Sequence, residues 1–176
     1  MRINYSFPRD YSSALTSKNT GALKKLIRRA LRTKPPEGYF AGHKGGKPST
    51  PYEVLNSAVW RTFEAGQVEH GRLFLAAGLP VDLLMRDVHG IAPRVPWTPL
   101  DVTIMPLDGD ERGKLQLTKM LLAAGANPQR NIWNDGGPVT TPASYVQTLE
   151  VARAFWEFGV PVEAFRSLPQ EVWARI

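Results

Sequence analysis

The chain has 176 residues, 43% of them hydrophobic and 22% charged: one ordinary globular domain, long enough to bury a core without staples. It contains no cysteine, which excludes disulfides, thiolate metal sites, iron–sulfur clusters and cysteine nucleophiles. The formal net charge is +6, no apolar run has membrane-spanning length, and the opening MRINYSFPRDYSS lacks the apolar core of a signal peptide, so a soluble cytoplasmic protein with no membrane partner is the expectation.

The charge is unevenly placed. Residues 1–50 carry 11 Lys and Arg against two acids, whereas residues 51–176 carry 11 against 14. A basic block on a nearly neutral body either attracts polyanions and acidic protein faces or serves solubility alone. Within the block, apolar residues at Ala22, Leu23, Leu26, Ile27, Ala30 and Leu31 alternate with Lys24, Lys25, Arg28, Arg29 and Arg32. That spacing predicts an amphipathic helix over 22–32 with a basic outer face. Asn19 or Thr20 can cap its start, and Pro35 and Pro36 end it.

Three later segments share one design: GQVEHGRLFLAAG at 66–78, GKLQLTKMLLAAG at 113–125 and QTLEVARAFWEFG at 147–159. Each predicts a helix of about ten residues closed by a glycine in the left-handed conformation. Each is preceded by Thr-Pro, at Thr50-Pro51, Thr98-Pro99 and Thr141-Pro142. Thr as N-cap with Pro at the first helical position is a strong helix start. The unit therefore reads Thr-Pro, helix, turn, helix, Gly, and then a loop. Three loops, 33–49, 82–97 and 129–139, are rich in Gly, Pro or polar residues, and Asp135-Gly136 in the third suits a hairpin turn.

Signals for chemistry are few. The stretch from Gly42 to Thr50 resembles a phosphate loop, but Ala41 stands where the first glycine belongs and Pro48 where the Mg²⁺-binding hydroxyl belongs. His43, His70 and His89 show no metal-ligand spacing. His70 corresponds to Leu117 and Val151 in the sister segments, which makes it a half-buried core residue. Asp87 with His89, or Asp108, Asp110 and Glu111, could serve acid–base work, but a solvated turn accounts for them. No nucleophile, base and orienter can be nominated. Of five tryptophans, Trp60, Trp156 and Trp173 fall in predicted helices and are expected in the core, whereas Trp97 and Trp133 fall in or beside loops.

A unit recurring in fixed order reads as a solenoid. Thr-Pro-Leu at 98–100, Leu-Leu-Ala-Ala-Gly-Ala-Asn-Pro at 121–128 and Leu-Glu-Val at 149–151 resemble ankyrin repeats. The resemblance covers most of the chain and implies an all-α domain of four repeats, near 11–36, 50–82, 98–129 and 141–163, with a capping helix over 164–176. It also implies β-hairpin fingers for the three loops and a concave groove that binds another protein. The spacing departs from the family, and Glu53, Asp101 and Ser144 stand where the family's turn-locking His belongs.

The resulting expectation is a non-enzymatic protein-binding module without cofactor or metal. Its contact residues would be Arg86, His89, Arg94, Trp97, Arg130 and Trp133, where a tryptophan can anchor an interface and arginines can pair with acids. The alternative is nucleic-acid or other polyanion binding through Lys24, Lys25, Arg28, Arg29, Arg32, Lys34, Lys44 and Lys47, with Tyr39 and Phe40 between them to stack on bases.

Overall fold

The computed structural model describes residues 9–33, 50–86, 88, 96–106, 109–131, 141–173 and 175–176. Among them the chain is all-helical, and its β pairing is an isolated antiparallel bridge between Met85 and Trp97. In chain order the helices are α1 (Arg9–Thr16), α2 (Thr20–Arg32), α3 (Pro51–Glu64), α4 (Val68–Ala76), α5 (Pro99–Ile104), α6 (Glu111–Ala123), α7 (Leu149–Glu157) and α8 (Gln170–Trp173). Short 3-10 turns occupy Pro142–Tyr145 and Val162–Ala164.

The helix starts follow the expected chemistry. The Asn19 side chain accepts from the Ala22 amide and caps α2. Thr50 and Thr98 cap α3 and α5, and Thr141 heads the turn at Pro142–Tyr145, each with proline next. The residues standing where a histidine was expected lock these starts instead. Glu53 accepts from the Thr50 amide at 3.0 Å, Asp101 from the Thr98 amide at 2.7 Å, and the Ser144 hydroxyl from the Thr141 amide at 3.2 Å. An acceptor three residues past the cap satisfies an otherwise orphaned amide, which is the capping-box solution.

The helix ends are equally regular. Gly78, Gly125 and Gly159 have φ of +86°, +93° and +83°. In each case the amide after the glycine reaches back to the carbonyl five residues before it: Leu79 to Phe74, Ala126 to Leu121 and Val160 to Phe155. This is the Schellman closure. Gly66, expected to open the first of the three segments, instead closes α3 in the same way, with φ +71° and Gln67 donating to Thr62. The first helix closes likewise, but with Lys18 at φ +50° and Asn19 donating to Ala14. A Cβ in that conformation is unfavourable by about 1 kcal/mol. Lys18→Gly should therefore raise the unfolding free energy by about 0.5–1 kcal/mol, read as a higher urea midpoint at unchanged slope.

The helices pack in two rows. The helices that follow Thr-Pro form one, α3 beside α5 and α5 beside the Pro142–Tyr145 turn; α2, α4, α6 and α7 form the other, each against the next. Pairs α1 with α2, α3 with α4 and α5 with α6 bridge the rows. Leu23 and Ile27, Leu55, Trp60 and Phe63, Phe74, Leu117 and Leu121, and Phe155 are all buried in one continuous core. The first-row elements shorten along the chain, from 14 residues in α3 to 6 in α5 and 4 in the last turn. Pro106 explains the second value: the residue before a proline disfavours helix, and Met105 is already extended at ψ 141°.

Two tryptophan expectations are met and one is corrected. Trp60 is fully buried, and Trp173 packs half-buried against the core. Trp156 is 52% exposed. The buried stripe of α7 runs through Ala152 and Phe155, and Trp156 falls one residue past it. The expected C-terminal cap is reduced to α8 and the turn before it, seated by buried Phe165 and Leu168. The Arg153 guanidinium ties this end to α7 by donating to the Arg175 carbonyl at 2.6 Å. Among the described residues no helix is long and apolar enough to cross a membrane.

Candidate interaction surfaces

Residues on the helices hold the described ends of the second and third loops. The Tyr52 hydroxyl donates to the Leu84 carbonyl at 2.6 Å. Asn56 makes a two-way clasp with the backbone of Arg86, accepting from its amide at 2.6 Å and donating to its carbonyl at 3.0 Å. Across the second loop, Met85 and Trp97 exchange both backbone bonds, at 2.6 and 2.8 Å. The root of the third loop is fastened to the second: Arg130 Nη2 donates to the Pro96 carbonyl at 3.0 Å and to Asp101 Oδ2 at 2.6 Å. The roots of the second and third loops are thus tied to the helix or loop before them.

This arrangement places three of the expected contact residues at the loop roots. Trp97 is 5% exposed and lies edge-on to Trp60, with Tyr145 beside it at 6.4 Å. The bridge to Met85 turns its side chain inward, so it is part of the core. Arg130 points inward as well, because the buried Asp101 carboxylate needs a cation. Burial pushes the Asp101 carboxyl above the usual carboxylate range, against the opposing pull of Arg130 and the hydrogen bonds from Thr98. Arg86 is held by Asn56, and its guanidinium lies 3.9 Å from Glu53. His89, Arg94 and Trp133 lie outside the described residues, so the set of six is not brought together as one patch.

Two of the candidate acid–base groups make local contacts at the start of α6. Asp110 caps α6 by accepting from the Arg112 amide. Glu111 is 3.4 Å from the buried Lys114 ammonium. His70 Nδ1 is 2.6 Å from Gln67 Oε1, and burial lowers its pKa against the opposing charge of Glu69. His43, Asp87, Asp108 and most of the glycine-rich stretch at 42–50 lie outside the described residues. Among the described residues no cluster of His, Asp and Glu has the geometry to hold a metal ion.

The alternative surface is partly described. Lys24, Lys25, Arg28, Arg29 and Arg32 are all exposed on α2. Its opposite face, Leu23, Ile27 and Ala30, is buried at 1% exposure or less. Lys34, Lys44, Lys47, Tyr39 and Phe40 lie outside the described residues.

The fasteners Tyr52, Asn56 and Asp101 escaped the sequence reading. One signal for them was present: Asn56, between Leu55 and Ser57 in α3, is a poor helix former, and such a residue, once buried, must hydrogen-bond to something.

No family model, curated protein or solved structure matches the chain.

Proposed function

We propose that the chain is a non-enzymatic protein-recognition module on an ankyrin-like solenoid of four units. The neighbour-to-neighbour packing of two helix rows and the recurring Thr-Pro start and Schellman end support that architecture. The observation that carries the function is the fastening of the loop roots by Asn56, Arg130 and Asp101. Loops rooted at fixed spacing bind another macromolecule with less ordering cost than free ones. The contact residues then belong to the loop interiors, Trp133 above all, together with His89 and Arg94, and not to the roots.

Affinity capture from the native host tests this reading. Trp133→Ala should lose the partner that the wild type captures, by about tenfold or more in affinity, at unchanged thermal stability. A partner set untouched by Trp133→Ala and by replacement of residues 132–139 with Gly and Ser would overturn it. A captured small-molecule turnover that His89→Ala abolishes would replace it with an enzymatic reading.

A further inference from the structure

We infer that the outer face of α2 docks duplex nucleic acid through its phosphates. This goes beyond the loop surface and is independent of it. Lys24, Lys25, Arg28, Arg29 and Arg32 are exposed, and none lies within ion-pair distance of a described carboxylate. Lys25, Arg28, Arg29 and Arg32 line a shallow hollow of about 480 Å³ with Thr33, so among the described residues every charged side chain on it is basic. Asp10 shares the adjoining groove between α1 and α2 with Lys25 and Arg29, a single acid among the described residues against five cations.

Charge density selects the ligand. At 100° and 1.5 Å per residue the five cations fall within an arc of about 140° over about 12 Å of helix. A duplex carries one charge per ~1.7 Å of axis, hence about seven phosphates over that length, whereas one strand offers at most about four. Five cations in two rows match the duplex. A protein partner would want an apolar or aromatic anchor at the centre of the patch. Here the exposed large apolar side chain on α2 is Leu31, 40% exposed, and α2 itself carries no aromatic residue. A lipid surface would want an apolar face to receive, but Leu23, Ile27 and Ala30 are locked in the core. What remains is an electrostatic, sequence-independent contact with phosphates, to which the three guanidinium forks are suited.

The test is fluorescence anisotropy of labelled DNA and RNA duplexes of about 20 base pairs against the full chain at 50 and 200 mM salt. About four phosphate contacts predict a loss of affinity near 100-fold between the two salts. Lys24→Glu/Arg28→Glu/Arg32→Glu should bind at least tenfold more weakly at the low salt, with unchanged helical circular dichroism and melting. If the reversal disturbs folding, the Lys24→Gln/Arg28→Gln/Arg32→Gln variant should show the same direction of loss. The DNA and RNA arms say which duplex is preferred. Duplex binding unchanged in these variants, a flat salt response, or tighter binding to a polyglutamate peptide or to phosphatidylserine vesicles in the same buffer would overturn the inference.

Discussion

Asp101→Ala should destabilise the chain by about 3–5 kcal/mol, a fall in melting temperature of roughly 10 °C for a chain of this length. Three losses coincide. The Thr98 amide and hydroxyl lose their acceptor, at 2.7 and 2.8 Å, which undoes the cap of a helix only six residues long. The Arg130 guanidinium, 19% exposed, loses the carboxylate at 2.6 Å and is left as a half-buried unpaired cation. The tie between the second and third loops goes with it. A buried pair is itself worth little, because both ions give up hydration, and the penalty of the single substitution comes mainly from the ion left behind. Asp101→Ala/Arg130→Met should therefore recover most of the loss, short of the cap, which is worth about 1 kcal/mol. Equal destabilisation in the single and double variants would mean that the charge pair is not the cause.

The same carboxyl gives a pH signature of definite sign. Burial holds the folded-state pKa of Asp101 above its unfolded value. Across that window the folded state binds more protons than the unfolded state, so this contribution to stability is fully present below the unfolded pKa of about 3.9 and is lost as pH rises through the folded pKa. In Asp101→Asn the contribution is absent, and the stability gap between wild type and variant should narrow as pH rises above about 4. Denaturant midpoints across pH 3–7 measure it, and a gap that widens with pH contradicts the burial.

The helices were legible because their signals are local. Thr-Pro starts, glycine ends and the 3.6-residue stripe each act within a few residues, and α2, α4, α6 and α7 follow them with ends within two or three residues of the pattern. What was not legible depends on contacts distant in sequence. Arg130 reads as a surface cation until Asp101, 29 residues earlier, is found beside it. Trp97 reads as a loop anchor until the pairing with Met85 rotates it onto Trp60. Trp156 fails in the opposite sense, since a stripe only three residues wide does not tell which flank meets the neighbouring helix. The basic face of α2 was visible throughout, because exposed charge is the complement of a buried stripe and needs no tertiary knowledge.

Gly113→Ala should also be severely destabilising, by about 3 kcal/mol. In an exposed first turn the same change favours a helix by up to about 1 kcal/mol; here the neighbour reverses the sign. A Cβ on Gly113 would stand 2.1 Å from the Gly66 carbonyl oxygen and 2.8 Å from Asp110 Oδ2. The first of these is backbone, fixed by the Schellman closure of α3, and it cannot withdraw without opening that turn. Asp110 holds the junction from the other side by donating its amide to the Ala65 carbonyl at 3.2 Å. Glycines 66 and 113 are thus the points where the end of α3 meets the start of α6, which explains their presence at matching places in the sequence better than helix initiation does. Two comparisons make the claim specific. Gly71→Ala meets Leu117 Cδ2 at 2.3 Å, the far end of a side chain that can rotate, so the loss should be smaller. Gly78→Ala meets nothing within 4 Å but keeps φ +86°, so its loss should be confined to backbone strain of about 1–2 kcal/mol. Thermal melts of the three variants should rank Gly113 as the most damaging. A Gly113→Ala variant as stable as the wild type would show that the end of α3 and the start of α6 do not approach this closely, and the junction between them would have to be redrawn.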